Sequence, residues 1–210
     1  MINSFNKKKV IIIAVTGIIL ICGIIGGYTF AKIESAAKLF GIPRSQELTN
    51  TGNDIVATID GEKITKKGFD TYKAMINSEN KLSDKEILNK IVESHVVYTQ
   101  AVKEGFHVSD QQVEAAIKSS QKTLKTDSKL YEAFKEYISG LKMNEDEYWV
   151  SVKPAYKKTL MRGAYKNALK ERFKKDKLEN NDYINTNFSE YYSQKIKDLI
   201  SHTKVESFLK

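Results

Sequence analysis

Cysteine, proline and glycine are scarce in this 210-residue chain, with one, two and eleven copies. Each shortage excludes something. The single cysteine, Cys22, lies in an apolar stretch, which excludes a disulfide framework, a zinc ribbon and a cysteine nucleophile in the polar part. Beyond Gly68 only Gly105, Gly140 and Gly163 remain. That disfavours a turn-dense all-β fold and favours long helices. The low proline count, with the glycines, excludes collagen-like and Pro/Gly low-complexity material. The three histidines, His95, His107 and His202, are far apart. His95 falls on the apolar stripe of its helix and reads as a satisfied core residue, and His107 reads as surface. GxxxxGK[ST], GxSxG, HExxH and GxGxxG patterns are all missing, so nothing supports a P-loop ATP machine. The sequence predicts no catalytic residue, no cofactor and no metal.

Apolar residues make up 41% of the chain, slightly below the usual globular share. One long run holds many of them. Val10–Phe30 is uncharged and follows Lys7, Lys8 and Lys9. As a helix it would reach about 32 Å, enough for a hydrocarbon core of ~30 Å. The pattern predicts a cytoplasmic tail at 1–9, a transmembrane signal-anchor at 10–31 and an extracytoplasmic remainder, because the cationic flank stays inside. A cleaved signal peptide is the rival reading, with small residues at Thr29-Phe30-Ala31 and Ser35-Ala36-Ala37. Its apolar region is usually ~7–15 residues, shorter than this one. A lipoprotein is disfavoured by bulky Ile21 before Cys22. Gly23 and Gly27 form a GxxxG pair, a weak pointer to a homodimer.

Residues 32–53 carry Gly41, Pro43 and the polar run Thr49–Asn53, and read as a linker. Ile55–Ile59 is a short β-rich run, then Asp60-Gly61, then Glu62–Thr65. An Asp-Gly turn supplies the positive φ angles of a tight hairpin, pairing Ile59 with Glu62 and Ala57 with Ile64. Helical patterns follow. Thr65 caps a helix with Phe69, Tyr72 and Ile76. Ser83 and Glu86 box a helix running to Gly105, with Leu88, Ile91, Tyr98 and Val102 on its stripe. Ser109 and Gln112 box the next, with Val113, Ile117 and Leu124. Leu130, Phe134, Tyr137 and Leu141 mark another. Asn144 and Glu147 open a long pattern to Phe173, which Pro154 is expected to kink or interrupt. A polar break at 176–186 precedes a helix with Phe188, Tyr192, Ile196 and Leu199. Lys204–Leu209 is a candidate terminal strand.

Two concentrations stand out. Residues 153–177 hold ten basic residues and two acids, a net +8 that equals the charge of the whole chain. A solvated helix face is the ordinary meaning. If this face has a partner, the outward topology argues against nucleic acid and for anionic headgroups, wall polymers or acidic unfolded chains. The second concentration is aromatic: Tyr148, Trp149, Tyr156 and Tyr165, with Met143 and Met161. Core packing explains such spacing, and an apolar cleft is the competing explanation. Tyr148 and Trp149 point about 100° apart on a helix, which argues against both sitting centrally on one narrow face. Trp149 is expected inside, and Tyr148 and Met143 toward a bound chain. Phe134 and Tyr137 on the preceding helix complete the candidate binding set of Met143, Tyr148, Trp149, Tyr156, Met161, Phe134 and Tyr137.

Ile55–Thr65, with its Asp60-Gly61-Glu62-Lys63-Ile64-Thr65 core, resembles the opening of SurA-like and PrsA-like foldases. Gly105-Phe106-His107-Val108-Ser109-Asp110 is similar to that family's second motif, and Asn144–Trp149 to its acidic, aromatic helix start. Lys204-Val205-Glu206 resembles the strand that returns to the hairpin. The likeness covers about residues 54–210. Complete foldases insert a parvulin-type prolyl isomerase between the long helix and the last one. The break at 176–186 is too short for it, since a domain needs on the order of a hundred residues. Neither the parvulins' glycine-rich motif nor their histidine pair is present.

The resemblance therefore implies a mainly α, SurA N-terminal-like chaperone domain at 54–210 with a small antiparallel sheet closed by the C-terminal strand. It implies no isomerase. The expected function is a membrane-anchored, extracytoplasmic, ATP-independent chaperone that binds apolar segments of unfolded or secreted polypeptides. Its other partner is the lipid bilayer, through residues 10–31, and nucleic acid is not a partner. A dedicated interaction subunit of one envelope complex and a prolyl isomerase are the alternatives.

Overall fold

The computed structural model describes residues 54–76, 81–140, 142–179 and 186–209. The expected membrane span at 10–31, its Gly23/Gly27 pair, the 32–53 linker and Leu141 lie outside the described residues. Among those described, no helix is long and apolar enough to cross a membrane.

Strands β1 (Ile55–Ile59) and β2 (Glu62–Thr65) form the expected hairpin, with Ala57 opposite Ile64 and Ile59 opposite Glu62. Asp60 (φ 48°) and Gly61 (φ 83°) make its turn in the left-handed region. A register irregularity between Ile55 and Ala57 was not foreseen. Strand β3 (Val205–Ser207) pairs antiparallel with β1 on its other edge, giving the order β2-β1-β3. A hairpin alone is marginal in water, and this third strand makes β1 central. Backbone bonds run from Asp60 N–H to the Lys204 carbonyl at 2.9 Å and from Phe208 N–H to the Val56 carbonyl at 2.8 Å. The Asp60 carboxylate accepts from Lys204 N–H at 2.9 Å.

Among the described residues, six helices follow the hairpin: α1 (Lys66–Ile76), α2 (Asp84–Lys103), α3 (Asp110–Lys125), α4 (Ser128–Gly140), α5 (Glu145–Glu179) and α6 (Phe188–Ser201). Their starts are set by side chains that satisfy orphan backbone N–H groups. Thr65 accepts from Gly68 N–H at 3.1 Å. Ser83/Glu86, Ser109/Gln112 and Asn144/Glu147 form reciprocal boxes as expected. A fourth box, Asn187/Glu190, opens α6. One core runs from Ala57 and Ile59 of the sheet through Phe69, Ile87 and Val97 to Phe134, Tyr156 and Ile196.

Two expectations are corrected. Val102 is 49% exposed, because α2 turns Ile87, Leu88, Val92, Val96, Val97 and Ala101 inward instead. Helix α5 also runs unbroken through Pro154 and past residue 176 to Glu179. Pro154 is on the exposed side, and so is Val150, whose carbonyl loses its helical donor there. Water can satisfy that carbonyl, so the helix need not end.

Candidate functional site

The predicted aromatic set comes together, but as packed interior. Phe134, Tyr148, Trp149, Tyr156 and Met161 are buried, and only Tyr137 and Met143 are partly buried. Tyr148 is 1% and Trp149 4% exposed. The Phe134 ring meets both, at centroid distances of 5.1 Å to Tyr148 and 5.5 Å to Trp149. Tyr137 lies edge-on to Tyr148 at 6.3 Å. Adjacent aromatics are both covered because the start of α5 is flanked by two helices, α3 and α4, which widens its buried arc beyond one stripe. This packing accounts for the aromatic concentration without a ligand. The cleft expected between the Met143–Asn144 turn and α4 is filled by these rings.

Glu145 clamps the rim of this cluster. Its carboxylate accepts from the Tyr131 hydroxyl at 2.8 Å and the Trp149 indole N–H at 3.3 Å, and meets Lys125 Nζ at 3.3 Å. Burial works to raise its carboxyl, but these donors and the lysine charge outweigh that and hold it below the ordinary value. The Tyr156 hydroxyl is buried and makes no hydrogen bond among the described residues. Burial pushes its phenol up to about 12, partly offset by the nearby Ser120 hydroxyl.

The basic face of α5 is largely engaged within the fold. Lys153 pairs with Glu114 at 3.2 Å and Lys157 with Asp110 at 3.7 Å, both across to α3. Arg172 pairs with Glu104, just past α2, at 2.7 Å. Lys158 lies 5.0 Å from the Tyr98 ring centroid and Lys166 4.9 Å from that of Tyr192.

His95 is more than a core residue. Its ring stands between the hairpin carboxylates, Nδ1 3.4 Å from Glu62 and Nε2 3.8 Å from Asp60. Hydrogen bonding to His95, with Lys158 nearby, lowers the Glu62 carboxyl despite partial burial. His107 is exposed, as expected.

An open concavity among the described residues lies elsewhere, where the end of α2, the second half of α5 and α6 meet. It encloses about 330 Å³ and is lined by Gln100, Glu104, Tyr165, Leu169, Arg172, Asp176, Tyr191, Lys195, Asp198 and Leu199. Buried Tyr165, Leu169 and Tyr191 supply its apolar floor. Glu104 and Arg172 neutralise each other on the rim, and Gln100 adds a bond to Glu104 at 2.9 Å. Burial opposes ionisation of Glu104, yet Arg172, Gln100 and the Tyr165 hydroxyl hold its carboxyl below the ordinary value. Tyr165 is raised to about 12, first by burial and then by Glu104. Sequence reasoning missed this crevice because its residues come from three helices and span Gln100 to Leu199. No local spacing announces it.

Among the described residues, no group of three or more histidine, cysteine, aspartate or glutamate side chains is placed to hold a metal. In comparison with known proteins, a family model described as a SurA-like N-terminal domain matches residues 1–159. No curated protein matches the chain, and no solved structure does.

Proposed function

Because the chain belongs to the SurA-like N-terminal domain family, we propose that it is a chaperone anchored in a membrane by residues 10–31, with residues 32–210 on the extracytoplasmic side. It holds unfolded secreted polypeptides reversibly and without ATP. The family match carries the chaperone reading. Support for the topology is the cationic flank Lys7–Lys9 before the uncharged run Val10–Phe30. Only residues 180–187 separate α5 from α6, too few for an isomerase domain of on the order of a hundred residues. Client contact falls to accessible apolar surface. From the aromatic set that means Met143 and the uncovered edge of Tyr137, the two that are not buried.

The test is aggregation of a heat-unfolded model client, followed by light scattering with the full-length chain in mild detergent. Suppression at near-stoichiometric ratio without nucleotide is the expected result. An unchanged scattering trace, together with recovery of one stoichiometric envelope partner by in-cell photocrosslinking, would overturn the proposal in favour of a dedicated interaction subunit. Acceleration of proline-limited refolding would show an enzyme instead. For topology, protease added to protoplasts should digest the ectodomain. A protected fragment would reverse the orientation, and a mature chain starting near Lys32 or Lys38 would replace the anchor by a cleaved signal.

A further inference from the structure

We propose that the crevice between the end of α2, the second half of α5 and α6 receives a cationic side chain of an extended polypeptide, its stem on Tyr165, Leu169 and Tyr191 and its head group toward Asp176 and Asp198. This rests on the reading of the chain as a polypeptide-binding chaperone, and it names what part of a client this chain selects.

Volume, floor and charge agree on the ligand. At about 330 Å³ the space sits at the small end of ligand sites and fits one long side chain. Its floor is two aromatic rings and a leucine, all nine-tenths buried or more, which suits a methylene stem. The rim carries three carboxylates and two cations. Arg172 is taken by Glu104 at 2.7 Å, and Lys195 lies 5.7 Å from the Tyr191 ring centroid. Asp176 and Asp198 make no side-chain hydrogen bond or ion pair among the described residues. With Arg172 and Glu104 cancelling, Asp176 and Asp198 outweigh Lys195 and leave the crevice a net charge of −1, on a chain whose net charge is +8. An acidic client side chain meets repulsion here, and a neutral one leaves both carboxylates to water. A guanidinium or ammonium group gains charge-assisted hydrogen bonds, and it can stack against tyrosine. Arginine should exceed lysine, because its planar fork does both at once. Eight of the ten lining residues follow Thr159, where the family match ends. The selectivity is thus carried by this chain's own second half.

The experiment measures fluorescence anisotropy of a labelled unstructured peptide with the full-length chain in mild detergent. One peptide carries a central arginine, and its twin carries norleucine there. Tighter binding of the arginine peptide, by about 5- to 10-fold at low salt, is expected. The gap should narrow at 0.5 M salt, roughly twice the charge screening of physiological conditions in Debye length. The double variant Asp176→Asn, Asp198→Asn should erase most of the gap, with norleucine-peptide affinity and melting temperature unchanged. Equal affinities in the wild type, or a preference that survives in the double variant, would overturn the inference while leaving the chaperone reading intact if aggregation is still suppressed. Failure of both peptides to bind, with no suppression of aggregation, would overturn both.

Discussion

Helix α5 behaves as two helices joined end to end. In its first half Tyr148, Val152 and Tyr156 recur every four residues and face α3 and α4. In its second half Met161, Tyr165, Leu169 and Phe173 recur with the same spacing, but five residues separate Tyr156 from Met161. Five residues rotate the stripe by about 140°. The second half therefore buries a different side, against α2 and α6. The first half is closed by the rings of α4 on one flank and by Val113, Ile117 and Leu124 of α3 on the other, and the second leaves a crevice between its neighbours. A helix that changes its buried face can join a rigid interior to an open surface without a hinge. The family match ends at Thr159, next to this change of face.

Deleting a ring on each side of the change tests the contrast most sharply. Phe134→Ala removes the ring that meets both Tyr148 and Trp149, and should cost about 3–5 kcal/mol in urea unfolding. Leu169→Ala opens onto an existing crevice and should fall toward the low end of such truncations, about 2–3 kcal/mol. Equal losses would mean the two halves are packed alike. Tyr148→Ala should now lower the melting curve as a core truncation does, contrary to its expected place toward a client.

Acid should loosen both halves. Glu104 and Glu145 are each held below their ordinary value of 4.5. A depressed carboxyl contributes stability in full above its unfolded value, and that contribution is lost as pH falls through the lower folded value. Urea midpoints should therefore hold near neutrality and drop below about pH 4.5. Glu145→Gln should flatten that drop by removing the clamp of the first half, and Glu104→Gln by removing that of the second. A midpoint unchanged down to pH 3 would show that neither clamp bears on folding. The smallest effect belongs to the cross-helix pairs. Lys153→Ala breaks a half-exposed pair with Glu114 and should cost no more than about 1 kcal/mol. A larger loss would make the basic face a structural element in its own right.

Local features were legible in the sequence because they depend on near neighbours. Asp60-Gly61 sets its own φ angles, which fixed Ala57 opposite Ile64. Ser83, Ser109 and Asn144 each find their box partner three residues on. The Asn187–Glu190 box has the same spacing but sits at the end of a polar break, where Asn is equally a loop residue. What failed depended on distant partners. Val102 has the side chain of a core residue, but the packing of α2 decided which of its sides was covered. Trp149 is inside as expected, but Tyr148 is covered too, because two helices flank the start of α5 where one narrow face is expected. Pro154 lacks a donor and crowds the preceding turn, but its exposed position lets water take the donor's place. The crevice needed three helices in place before any of it existed.

The pairing of β3 with β1 bears on the order in which the chain can finish folding. Thr58 and Glu206 are 148 residues apart and meet across that pair, hydroxyl to carboxylate at 3.2 Å. Closing so long a loop costs about 4 kcal/mol in chain entropy before any helix has shortened it. As the polypeptide emerges during synthesis, β1 is bordered only by β2 until Val205–Ser207 arrive. Packing of the intervening helices brings Thr58 and Glu206 within reach and removes most of that cost, so the β1–β3 pair forms after those helices. A released chain truncated before Lys204 should thus keep its helices packed and leave the edge of β1 that faces β3 unpaired.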